Sequence, residues 1–393
     1  MQFTSQHSNA SPFVVATSGE DLDAGKKGSD RVLLAVIIML MMIGMMAVYS
    51  SIAYFAEIKG TTAGTLLTGH IMKLSIAFVV MLIFSKIDYR ILARLSKFGL
   101  LLSWVFLLTV SLFGVESFGT KRWLTVAGFS FQPSSMAVIA LMFHLSCLIG
   151  KKQEYIKDFK RTFMPLMLWV LITCGLIGIE DFSSAALLLG MSMLLLFVGR
   201  VSVLHLAGLV LLGALGGVAL LSQSAERQSR INSYVEQVIH IKSDDFALED
   251  GYQAQQAQIA IARGGLFGAG IGKSSQRDFL PAPYNDFIFA IIAEEYGLFG
   301  AGFLMFLYTV ILFRGIVFVA KRAEDTTGML MAVSCTLGIV LYAYVNAAVA
   351  SGLFPVTGLP MPFVSYGGTS MLFSGMLIGV LLNISKHKRG AHV

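Results

Sequence analysis

Three carboxylates stand in one otherwise apolar run, LPAPYNDFIFAIIAEEYGLFG at 280–300: Asp286, Glu294 and Glu295. Pro281 and Pro283 exclude regular helix just ahead of Asp286. From Phe287 the chain is apolar and helix-compatible for about 30 residues, long enough to cross a bilayer. Asp286 therefore stands at the mouth of a membrane helix, where a carboxylate can carry proton transfer at a membrane surface. Asn285-Asp286 before an apolar run is equally an ordinary helix start. Glu294 and Glu295 fall ~12 and ~13.5 Å further along the axis. Charged groups at that depth are costly and face a polar interior. Lys73 or a buried water path is their expected partner, and structural pairing ranks ahead of catalysis for both.

Other groups could bind anions. Lys121 and Arg122 lie in a loop expected outside the membrane, against the trend that keeps basic residues inside, and they point to an external anion or a lipid headgroup. Arg263, Lys273 and Arg277 add cations on that side. Asp181, beside Glu180 in a short turn, is either a helix cap or a second polar group of the same cavity. GAGIGKSS at 268–275 looks like a phosphate loop, but Phe267 stands where a Walker A glycine would be. A flexible turn is its default reading, with amides able to hold a lipid phosphate. SYGGTS at 365–370 opens the last span, where backbone amides attract anions or Gly367 and Gly368 allow close packing. His70 and His144 have no ligand-spaced partner and read as satisfied core residues. Cys147, Cys174 and Cys335 fit no metal site or disulfide framework.

The elements that must position these groups are membrane helices. The chain has 393 residues, 56% hydrophobic and only 13% charged, with mean hydropathy +0.75, whereas soluble domains are about 25% charged. Ten spans emerge, near 32–54, 66–84, 98–115, 133–150, 163–179, 183–198, 201–221, 287–320, 328–350 and 366–384. The fold class is an all-α polytopic membrane protein with a long extracytoplasmic loop, 222–285, between helices seven and eight. Residues 1–31 read as a flexible cytoplasmic tail, 32–386 as one membrane domain, and 387–393 as a basic cytoplasmic tail. Alternate loops are basic, which puts both termini in the cytoplasm. The 114–132 segment reads as an outer loop, and a short interfacial or re-entrant helix is expected around 252–262. The +6 net charge is spread over short loops and is no nucleic-acid signal.

In order along the chain, YSS (49–51), GTKRW (119–123), FQPS (131–134), EDFSSA (180–185), GYQ with Gln256, GGLFGAGIGKSSQ, LPAPYNDFIFAIIAEE, FPVTGLPMPFVSYGGTS and LLNIS follow one another. Together they resemble the SEDS family (shape, elongation, division and sporulation), the peptidoglycan polymerases typified by FtsW and RodA. The resemblance implies ten helices and a processive glycosyltransferase acting on lipid II, with Asp286 as the essential carboxylate. On these blocks the candidate substrate-binding residues are Lys121, Arg122, Gln132, Asp181, Gln253, Arg263, Gln276, Ser365, Gly367 and Gly368. Lys73, Glu294 and Glu295 are the intramembrane polar set. Ser135 and Val138 stand where the family carries a Glu and a Lys, Leu280–Asp286 lacks the family's Glu and His, and Ala257 replaces a Ser. The tail, the DRVLL entry and the GYQ block favour the division type over the elongation type.

The expected reaction joins the 4-hydroxyl of the N-acetylglucosamine on lipid II to a glycan carried on undecaprenyl pyrophosphate. Asp286 takes the acceptor proton, and Lys121, Arg122 and Arg263 steady the leaving pyrophosphate. No cofactor or metal is required by the residues, although a divalent cation (Mg2+ or Mn2+) could share the pyrophosphate. The resemblance also implies a class B penicillin-binding protein (a transpeptidase) and other division proteins as partners, and location at the bacterial inner membrane and its septum. A lipid II flippase with Lys73, Glu294 and Glu295 along its path is the alternative, and a non-catalytic division scaffold is another.

Overall fold

The computed structural model describes residues 29–58, 60, 62–117, 120–126, 129–222, 225–239, 249–280 and 284–387. The tail read at 1–31 and the basic end at 387–393 therefore lie almost wholly outside the described residues. Twelve α-helices are described: α1 (Arg31–Ile58), α2 (Ala63–Phe84), α3 (Tyr89–Phe113), α4 (Pro133–Lys151), α5 (Met164–Glu180), α6 (Phe182–Val198), α7 (Val203–Ser222), α8 (Ala225–Ile239), α9 (Glu249–Gly264), α10 (Ile288–Phe313), α11 (Thr326–Ala350) and α12 (Gly368–Ile384). Eight spans are long and apolar enough to cross a membrane, and α6 and α12 are shorter apolar helices. At 17 residues each, α6 and α12 reach the lower limit for a bilayer.

Polar residues set where these apolar runs begin. Asp88, Asp181 and Asp325 cap α3, α6 and α11 by accepting the amides of Arg90, Ser184 and Gly328. Each satisfies a backbone donor that would otherwise be orphaned at a helix start. Tyr89 Oη also donates to Asp325 at 2.6 Å. Beside that end, Arg314 pairs with Asp30 at 2.6 Å, and the Asp30 amide donates to Ser385 Oγ. The start of α1 and the end of α12 thus share one face, as ten crossings require. Between the faces one large apolar core joins α1, α4, α6, α10, α11 and α12.

The 114–132 segment differs from the loop expected of it. It holds a three-stranded antiparallel sheet of β1 (Val115–Ser117), β2 (Thr120–Val126) and β3 (Phe129–Phe131), in that order. Leu124 pairs with Phe131 in the register of β2 and β3, so β3 leads directly into Gln132 and α4.

The eighth span also differs from an unbroken helix. Gly297 interrupts α10 with φ 68° and ψ −167°, a conformation essentially confined to glycine. The glycine-rich segment after α9 packs into the gap. Ala269 N donates to the Glu294 carbonyl at 2.8 Å and Gly270 N to the Glu295 carbonyl at 3.1 Å. Leu298 N returns a bond to the Gly265 carbonyl at 2.9 Å. The backbone groups freed by the break are satisfied by this segment, as any backbone at membrane depth must be. The phosphate-loop reading of GAGIGKSS is corrected here, because Ala269 N and Gly270 N are spent on α10. Around Tyr252–Ala262 the expected helix is present as α9, and its end is close enough to α10 that a Cβ on Gly264 would come 1.9 Å from the Ala293 carbonyl oxygen.

An alanine at Gly297 would have to hold that glycine-only conformation and would meet the Leu266 carbonyl oxygen at 2.4 Å. Gly297→Ala is expected to destabilise the protein on the order of 2–3 kcal/mol, read as a lowered unfolding temperature in detergent.

Candidate functional site

Asp286 sits in a turn immediately before α10, at the end of the bundle opposite the Asp30–Arg314 pair. Three successive carbonyls around it are held from outside. Tyr366 N donates to the Tyr284 carbonyl at 2.8 Å, Ser365 Oγ to the Asn285 carbonyl at 2.6 Å, and Asn346 Nδ2 to the Asp286 carbonyl at 2.9 Å. Asn346, on α11, also donates to the Leu359 carbonyl at 2.8 Å, and Ser365 Oγ accepts Met361 N at 2.8 Å. Beneath the turn a small apolar cluster of Ala257, Ala260, Leu280, Phe287, Ile291 and Val349 ties α9, α10 and α11 together. The backbone at Asp286 is therefore fixed by two other elements of the fold.

Its side chain is not the helix cap. The cap position of α10 is Phe287, with no side-chain cap bond, and Asp286 Oδ1 is buried without a hydrogen-bond partner. Burial pushes the carboxyl up from its ordinary 3.8 to about 6. Arg122 and Arg230 pull it back down and Asp181 pushes it up. A carboxylate with that value is mostly ionised at neutral pH yet more basic than a solvated one, which suits a general base.

Of the sequence candidates, Arg122, Asp181 and Ser365 act at this point. Arg122, on β2, donates through Nε to the Glu180 carbonyl at 3.2 Å. Asp181 caps α6 through Ser184 N at 3.1 Å and accepts Gln132 Nε2 at 3.1 Å. Both alternatives for Asp181 therefore hold: it caps a helix and also contributes charge at the site. Lys121 precedes Arg122 on the same strand, and Gln253 is half-buried on α9. Ser365 positions the Asp286 turn through Asn285, while Gly367 is the cap residue and Gly368 the first residue of α12.

Other candidates lie in a different network. Glu294 accepts Ser274 Oγ, Ser275 N at 3.1 Å and Gln276 N at 3.3 Å, and Arg263 donates to Ser275 Oγ. Glu295 accepts Ser50 Oγ, and Arg277 Nη1 donates to the Ser50 carbonyl at 2.9 Å. These carboxylates anchor the glycine-rich segment to α10 and α1. Lys73 is not their partner, because its ammonium lies 3.9 Å over the Tyr366 ring instead. His70 is not a satisfied core residue either: it is fully buried with neither ring nitrogen bonded. His144 is partly satisfied, with Nδ1 at 3.4 Å from Ser96 Oγ.

Two site residues escaped the sequence reading. Arg230, on α8, was one cation in a polar stretch with no local mark of its role. Asn346 did carry a signal, since an amide inside an apolar span is costly unless it is used.

Comparison with known proteins places this geometry. The family model described as cell cycle protein, FTSW_RODA_SPOVE, matches residues 30–390. The chain is 33% identical over 372 residues to stage V sporulation protein E of Bacillus subtilis (strain 168), covering 93% of this chain and 99% of that one. It is 31% identical over 373 residues to the probable peptidoglycan glycosyltransferase FtsW of Geobacter sp. (strain M18), with the same coverage of 93% and 99%. Among solved structures, it is similar in fold to a chain of a peptidoglycan synthase complex coordinating polymerization and crosslinking. That match has TM-score 0.72, 23% identity, and 92% and 99% of the two chains covered. Rod shape determining protein RodA of Thermus thermophilus matches with TM-score 0.64, 23% identity, and 91% and 96% covered.

Because the folded pKa of Asp286 exceeds its ordinary value, folding favours its protonated form. Its contribution to stability falls as pH rises from about 4 through about 6. Asp286→Asn, a neutral isostere, is expected to be more heat-stable than wild type at pH 7.5, by up to about 3 kcal/mol. Thermal unfolding in detergent should show that difference close below pH ~4.

Proposed function

The chain belongs to the FtsW, RodA and SpoVE family of cell cycle proteins, and on that premise we propose that it is a peptidoglycan glycosyltransferase whose general base is Asp286. The observation that carries this assignment is the buried, unpartnered Oδ1 of Asp286 beside the charges of Arg122 and Arg230. A proton acceptor with two cations near enough to shift its protonation is what transfer from a lipid pyrophosphate needs.

In the reaction, the 4-hydroxyl of the N-acetylglucosamine of lipid II attacks the anomeric carbon of the chain held on undecaprenyl pyrophosphate. The new C–O bond forms as the anomeric carbon–oxygen bond to phosphate breaks. The pyrophosphate leaves with the bonding electrons, and Asp286 takes the hydroxyl proton. Arg122 and Arg230 stabilise charge on the leaving group. Of the other cations expected there, Arg263 is engaged with Ser275 in the Glu294 network. Among the described residues no group of three or more His, Cys, Asp or Glu could hold a metal ion. A divalent cation would need oxygens from the pyrophosphate itself alongside Asp181 or Asp286, where it would offset phosphate charge.

The site faces the outside of the cytoplasmic membrane and both termini face the cytoplasm, in keeping with the basic loops at 86–97, 151–161 and 321–322. The protein works at the division septum with a class B transpeptidase and other division proteins. The flippase alternative loses its motive, since Glu294 and Glu295 are committed to Ser274, Gln276 and Ser50.

Lipid II polymerisation in proteoliposomes with the cognate transpeptidase tests the assignment. Asp286→Asn should lower the rate by ~10²–10⁴-fold while the protein stays folded. The wild-type rate should rise with pH through about 6 and then level off, as the base form accumulates. Equal glycan from wild type and variant would remove Asp286 as the base, and no glycan from either would remove the polymerase reading.

A further inference from the structure

On α2, His70 and Lys73 are one turn apart and so share a face. Both meet Tyr366, the residue just before the cap of α12. The His70 ring stacks on Tyr366 at 5.4 Å between centroids, with planes 22° apart. The Lys73 ammonium lies 3.9 Å from the centre of the same ring. The Lys73 stem also passes the first residue of α12, 3.7 Å from where a Gly368 Cβ would be.

The electrostatics of this arrangement are lopsided. The amino end of a helix carries partial positive charge and unsatisfied amides. That of α12 has no side-chain cap bond and no acidic residue in its first turn. Lys73 adds a full positive charge there, and no carboxylate among the described residues is within salt-bridge distance of it. His70 is fully buried with both ring nitrogens unbonded. A buried imidazole without a partner is costly, and a cation against a helix amino end is unfavourable on its own. An anion with several acceptor oxygens answers to the ammonium, the free amides and the N–H of the imidazole together.

We propose that His70, Lys73 and the amino end of α12 form a second anion subsite, which takes the pyrophosphate of a lipid-linked substrate. Lipid attachment follows from the neighbouring side chains. Ile71 and Met72, flanking His70 and Lys73 on α2, are 42% and 59% exposed, and on a membrane span such a surface meets acyl chains. The subsite adjoins the reaction centre, since Tyr366 packs edge-on against Tyr284 at 5.6 Å, two residues from Asp286. The Arg122–Arg230 pole and the Lys73–His70 pole thus give the two lipid pyrophosphates of a polymerisation step separate seats. This pairing rests on the glycosyltransferase reading, whereas the anion subsite does not.

The test is direct binding of undecaprenyl pyrophosphate to the full chain in detergent, without polymerisation, with inorganic pyrophosphate in a parallel arm. Lys73→Met keeps the stem against Gly368 and removes the charge, Lys73→Arg restores the charge, and His70→Phe keeps the stack on Tyr366 and removes the nitrogens. The subsite predicts affinity weaker by about tenfold to a hundredfold in Lys73→Met and in His70→Phe, with recovery in Lys73→Arg and unfolding temperatures near wild type. Loss restricted to the lipid-linked probe would assign the seat to the lipid, and loss with both probes would assign it to the pyrophosphate group alone. Unchanged affinity in Lys73→Met and His70→Phe would overturn the subsite, even if wild type polymerises lipid II. Lys73-dependent binding by a chain that makes no glycan would leave the subsite standing and sink the polymerase reading.

Discussion

Everything at the site depends on the seizure of three consecutive carbonyls, at Tyr284, Asn285 and Asp286, by donors from elsewhere in the chain. The donors come from α11 and from the segment before α12, more than 50 residues further along the chain. A single clamp of this kind would leave the turn free to rotate about the remaining bonds. Three in succession fix both the path of the backbone and the direction of the Asp286 side chain. Positioning of this quality is what the proposed general-base role asks of a carboxylate, and here it is achieved on a turn rather than on a regular helix.

Fixing the carboxylate has a cost that the rest of the site absorbs. Asp286 is held where burial disfavours its ionised form, and Arg122 and Arg230 offset only part of that penalty. The fold tolerates this because its large apolar core and its polar ties at the opposite face do not depend on the site. On the proposed assignment, a side chain that weakens the folded state near neutral pH is the usual trade of stability for activity.

Much of this was legible in the residues, and the exceptions have physical causes. Apolar runs marked most of the helices to within a few positions, because burial is local in sequence. α3 instead begins at Tyr89, nine residues ahead of the span read from 98, because Arg90, Arg94 and Lys97 break up its apolar start. The sheet at 115–131 was hidden because its strands are short and two of them span only three residues. The glycine-rich segment invited an anion because its composition permits that. Its amides serve the Glu294 and Glu295 carbonyls only because Gly297 breaks a helix some 27 residues later, a pairing no local pattern announces. Lys73 was matched to the wrong partner for the same reason: charges in different spans carry no sequence mark of which will meet. Ser135 and Val138 departed from the family pattern, and Val138 is buried in the apolar core. The charges near Asp286 come instead from Arg122, Asp181 and Arg230, on β2, the α5–α6 turn and α8.

The break at Gly297 divides α10 into a short half that starts next to Asp286 and a long shaft that runs to Arg314. The segment after α9 is bonded to both sides of the break, through Ala269 and Gly270 to the short half and through the Gly265 and Leu266 carbonyls to Leu298 and Phe299 at the start of the shaft. The shaft is tied at its other end to Asp30. Bilayers differ in thickness, and a membrane helix accommodates the mismatch by tilting or bending. In this chain both edges of the break are stapled to the segment at its side, so a change of tilt has to be taken up in the shaft beyond Phe299. A bend there would leave the turn that carries Asp286 where its own bonds from Asn346 and Ser365 hold it.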